Sequence, residues 1–124
     1  MEPLLVMKTA CVLLAIAALG GLVMAGMRFS GKPQPPTSLA MLHGFLSAAA
    51  VTLLLYAYFT VGLPLLAGWA LLLFLIAAAG GAYLNLNYHW KMLPLPVGII
   101  VVHAGLAVAG FVLLLAATWT SMPR

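Results

Sequence analysis

Two histidines, His43 and His103, carry most of the chemistry this sequence can offer, and each sits inside a long apolar run. An imidazole has one donor and one acceptor nitrogen in its neutral form and is the commonest protein ligand for metals. Its cost in apolar surroundings must be met by a hydrogen-bond partner or by a bound group. A lone buried imidazole is often satisfied by a neighbour's backbone. Two at matched depth can instead face each other and share a ligand.

Few other side chains compete. Glu2 is the single acidic residue. No carboxylate pair exists for acid–base work, and no intramembrane carboxylate exists to couple export to protons. Cys11 is alone, so an internal disulfide and a paired-thiol metal site are excluded. Met24, Met27 and Met41 read as packing residues. Trp69, Trp90, Trp119, Tyr56, Tyr58, Tyr83 and Tyr88 read mostly as an interfacial aromatic belt.

The elements that must position the histidines follow from composition. The chain is 66% hydrophobic and 5% charged, where a soluble domain carries about 25% charged residues. Such a chain cannot wet its own surface, so its solvent is lipid. The net charge of +4 reflects scarce acid, and no run of Lys or Arg suggests nucleic acid. A spanning helix needs about 20 apolar residues, and the sequence has four such stretches: about 3–28, 37–60, 65–86 and 96–119. Prolines and glycines at 31–36, Gly62 and Pro64, and Pro94 and Pro96 separate them. Thr37 or Ser38 is expected to cap the second helix. The segment 87–92, with His89, Trp90 and Lys91, reads as interfacial. The first stretch is longer than a signal-peptide core and is expected to remain in the mature protein.

The chain also aligns on itself without a gap at a shift of sixty residues. Ile16–Gly21 lies on Ile76–Gly81, Pro36 on Pro96 and His43 on His103. Residues 5–60 share 17 identical pairs with 65–120. Leucine and alanine supply some of these, but the Gly-Gly pair, the proline and the histidine are costlier matches. The expectation is one membrane domain over 1–124, built from two parallel-related hairpin repeats, 1–60 and 61–124. Together they form an all-α, four-helix up-down bundle with helices 2 and 4 diagonal.

That frame brings the candidates into one layer. His43 and His103 each lie seven residues beyond the matching proline, about 10 Å below the same face. Gly20, Gly21, Gly80 and Gly81 fall at about the same depth on the other two helices. A flat cofactor suits such a layer: one haem b, with iron held between His43 and His103 and the ring approaching the glycines. Its propionates would meet Arg28, Lys32 and Lys91, with His89 nearby. Ser47, Ala50, Ala107 and Gly110 continue the same helix faces with small residues. The free imidazole nitrogens are expected to donate one turn back along their own helices, at Leu39 and Ile99. The C-x-x-C-H motif of covalent haem attachment is absent.

On His43, His103 and the adjacent glycines, the sequence resembles the small four-helix membrane cytochromes of the b type. The resemblance covers the whole chain in architecture. Many of those proteins hold two haems with four histidines; two histidines within the spans here imply one haem per chain. It implies one-electron transfer rather than a self-sufficient enzyme, with a quinone or a redox protein as partner. The alternatives are a non-redox accessory or assembly subunit of a larger membrane complex, and a haem or transition-metal carrier. Small helix-face residues also suit a homodimer. The hairpin pattern resembles small bacterial membrane proteins, which implies a bacterial inner membrane. Arg28, Lys32 and Lys91 on the loop side outnumber Lys8 and Arg124, which sets the termini outside.

Overall fold

A computed structural model describes residues 2–123; Arg124, one of the charges used for orientation, lies outside them. Four α-helices follow in order: α1 (Pro3–Phe29), α2 (Thr37–Thr60), α3 (Leu65–Leu84) and α4 (Val97–Thr120). A single π-helical turn, Asn85–His89, continues α3. No strand occurs among the described residues.

Proline sets the helix starts. Pro3 opens α1, and Pro36, Pro64 and Pro96 occupy the cap positions of α2, α3 and α4. A proline there has a suitable fixed φ and needs no donor, while its carbonyl accepts the first helical bond. Ala40, Gly68 and Ile100 make those bonds, each at 3.1 Å. The expected side-chain cap from Thr37 or Ser38 is therefore not made: Pro36 holds the cap position and Thr37 is already the first helical residue.

Left-handed residues close three of the helices. Gly31 (φ 99°) follows α1 and Gly62 (φ 80°) follows α2, where glycine meets no Cβ penalty. After α3 the left-handed residue is Met92 (φ 57°), one place beyond Lys91, the position that matches Gly31. The π turn explains the offset, because it accommodates one extra residue. It also turns His89 inward to 6% exposure, whereas Phe29 at the matching place is 58% exposed.

α1 packs chiefly on α2 and α3 on α4, while α1–α4 and α2–α3 contacts close the ring. α2 and α4 are diagonal, as in an up-down bundle. Met7, Leu54 and Leu114 are fully buried, with Ala10, Ala67 and Ala70 letting the backbones approach. This core lies in the half of the bundle that holds the termini. Gly110 packs closely beside it: a Cβ there would sit 3.1 Å from the Phe74 ring. The outside is apolar, with Phe59 78%, Leu65 77% and Leu22 67% exposed. All four helices are long and apolar enough to cross a membrane; 24 residues reach about 36 Å against a hydrocarbon thickness of about 30 Å.

Candidate functional site

The site begins with what Gly20 and Gly21 lack. Without side chains there, α2 presses His43 directly against α1. A Cβ on Gly21 would lie 3.1 Å from His43 Cε1. The ring's Nδ1 reaches the carbonyl oxygen of Ala17, one turn earlier on α1, at 2.7 Å. The second hairpin makes the same contact. A Cβ on Gly81 would lie 3.0 Å from His103 Cε1, and His103 Nδ1 lies 2.7 Å from the Ala77 oxygen. Gly20 and Gly80 back the two histidine Cβ atoms at 3.8 Å.

These bonds determine the tautomer. A carbonyl oxygen only accepts, so in each neutral ring Nδ1 donates and Nε2 keeps its lone pair. The expected donations to Leu39 and Ile99 are not made. The glycine gaps bring each imidazole close to the neighbouring helix, and the carbonyls of Ala17 and Ala77 take the proton instead. The imidazoles themselves fill the gaps over Gly21 and Gly81.

The two histidines approach across the diagonal. Their ring centroids are 6.1 Å apart and their planes are inclined at 69°. Both are half-buried. Met24, Met27 and Met41 are half-buried as well, so this half of the bundle is less closed than the half built on Met7, Leu54 and Leu114.

Above the layer the two long loops are braced against each other. Arg28 Nε donates to the Leu95 oxygen at 2.8 Å. Gln34 Nε2 donates to the Leu93 oxygen at 3.0 Å, and the Leu95 N–H to the Pro33 oxygen at 3.3 Å. His89 Nε2 donates to the Pro35 oxygen at 3.1 Å, while its buried Nδ1 has no protein partner. Arg28 spends one of its five donors on this brace. Lys32 is exposed, and Lys91 is exposed with its Nζ 3.3 Å from Asn87 Oδ1.

The structure thus joins the histidines and glycines in one layer, places Arg28 in the loop brace over the bundle end, and leaves Lys32 and Lys91 on the surface. His89 and Gln34 are the residues sequence reasoning undervalued. Their one signal was that 25–35 and 85–95 share no identical pair at the sixty-residue shift. Among the described residues, no three His, Cys, Asp or Glu side chains gather as a metal cluster. No family model matches the chain, and no curated protein or solved structure does.

Proposed function

We propose that the chain spans a membrane four times and holds one b-type haem between His43 and His103, as an electron-transfer module. The observation that carries this reading is the paired donation of His43 and His103 to Ala17 and Ala77. Metal-binding histidines almost always donate their second ring nitrogen in this way, which fixes the tautomer and aims the free lone pair. Two imidazoles on opposite sides of one metal ion, at ordinary nitrogen–metal distances, place their centroids about 6 Å apart. The 6.1 Å between the His43 and His103 centroids fits that spacing.

Ligand number favours haem over a bare ion. A structural metal site takes about four protein ligands, and only two converge here. Haem brings four nitrogens of its own and asks the protein for axial ligands only. The histidine layer is half-buried, where the half below it is closely packed, and could part more easily around a planar group. Arg28 retains donors for an anionic propionate at the loop end, with Lys32 and Lys91 on the same face.

When bound, haem iron supplies one-electron redox chemistry. Held by His43 and His103 together, it would be left without a site for oxygen or substrate. The chain's own part is to fix both imidazoles, exclude water and tune potential through the Ala17 and Ala77 bonds. Electrons would be exchanged with a lipid-soluble carrier such as a quinone, or with a partner protein.

Haem titration of the detergent-purified protein tests the reading. One haem should bind per chain, and either His43→Ala or His103→Ala should weaken binding at least tenfold. Failure of the wild-type protein to take up haem, or uptake unchanged in both variants, would overturn it.

A further inference from the structure

The termini end of the bundle carries a feature that the haem reading does not use. A groove of about 820 Å³ runs between α1 and α4, walled by Lys8, Cys11, Val12, Leu115, Thr118 and Trp119. Its floor has little polarity to spare. Thr118 Oγ1 donates to the Leu114 oxygen at 2.8 Å and lies 3.6 Å from Cys11 Sγ. Among the described residues Lys8 is its one charged wall, and Trp119 stands beside it, 74% exposed.

The groove is not a necessary product of the hairpin fold. Sixty residues from Lys8 and Thr118 stand Gly68 and Tyr58. There the Tyr58 ring lies across α3, 3.7 Å from where a Gly68 Cβ would be. An aromatic ring covers the matching place between α2 and α3. In the α1–α4 groove a lysine and a small threonine leave space.

We propose that this groove binds one anionic phospholipid of the surrounding bilayer, its acyl chain along the apolar walls and its headgroup on Lys8. Charge and depth choose the occupant. Lys8 lies in the second turn of α1 and Trp119 in the last turn of α4, so both belong to the headgroup level of one membrane face. A single cation above an apolar trough matches a negative headgroup above a hydrocarbon chain, and each such lysine contributes about 1 kcal/mol near an anionic surface. The inference rests on the membrane-spanning part of the reading above and is independent of the haem.

The test is native mass spectrometry of protein released from nanodiscs with equal phosphatidylglycerol and phosphatidylcholine. The wild-type chain should retain one phosphatidylglycerol, favoured about fivefold, the factor one lysine supplies. Lys8→Ala should abolish the preference. The double variant Lys8→Gly, Thr118→Tyr rebuilds the arrangement of the α2–α3 seam, so it should stay folded by circular dichroism while losing the retained lipid. Equal retention of both lipids by the wild type would overturn the proposal, as would undiminished phosphatidylglycerol in the folded double variant. Release of the chain from vesicles by alkaline carbonate would instead overturn the membrane-spanning reading beneath it.

Discussion

In the second hairpin Phe74 packs over Gly110; at the matching positions of the first stand Leu14 and Ala50, both buried in the same core. One side chain is larger where the other is smaller, and total volume is nearly the same, which packed cores tolerate best. At the histidine layer no such drift is seen: Gly21, His43 and Ala17 make the contacts that Gly81, His103 and Ala77 make, down to the same 2.7 Å bond. At the loop end the copies part completely. Phe29 faces outward, while His89 is turned in by a π turn to tie Pro35. Core positions can exchange bulk and loops can be recast, but the ligand proposed between the diagonal helices would need both imidazoles held alike.

Breaking the equal layer should have the largest effect. Gly21→Leu or Gly81→Leu would drive a side chain into an imidazole already 3.0–3.1 Å from the first added atom. Displacing the ring should weaken haem binding more than tenfold by titration. Stability should fall by about 1–3 kcal/mol, the usual cost of overpacking.

The compensated pair should come next. Gly110→Ala places a Cβ 3.1 Å from the Phe74 ring and 3.3 Å from the Ala70 oxygen. It should destabilise the bundle by about 1–2 kcal/mol in detergent unfolding. Adding Phe74→Leu copies the first hairpin's residues and should recover most of that loss. No recovery would show that the two hairpins do not share one packing scheme.

At the loop end, His89→Phe restores the residue of the first copy and removes the bond to Pro35. The expected cost is about 1 kcal/mol, with haem affinity unchanged, because His89 braces loops and holds no iron. Lys91→Ala should be the mildest change, within about 0.5 kcal/mol, since Lys91 is exposed and bonded only to Asn87.

These differences also mark what could be read from residue types. Four long apolar helices were legible because apolar length and proline punctuation act locally. The meeting of His43 with His103 was legible because a sixty-residue shift carries depth and direction together. The partner carbonyls were not. Leu39 and Ile99 are nearest in sequence, but closeness of α1 to α2 depends on two absent side chains at Gly20 and Gly21, which let Ala17 win. The inward turn of His89 was hidden for a related reason. A single π turn shifts everything after it by one residue, and Asn85–His89 carries no composition that announces it. The α1–α4 groove depends on Thr118 replacing the bulk of Tyr58, which only the packed structure turns into space.

Low-temperature electron paramagnetic resonance of the oxidised, haem-loaded protein tests the central claim most directly. A low-spin ferric signal from iron with two imidazole ligands is expected, converting to high spin in His43→Ala and in His103→Ala. A high-spin signal in the wild-type protein, or a low-spin signal indifferent to both substitutions, would contradict it.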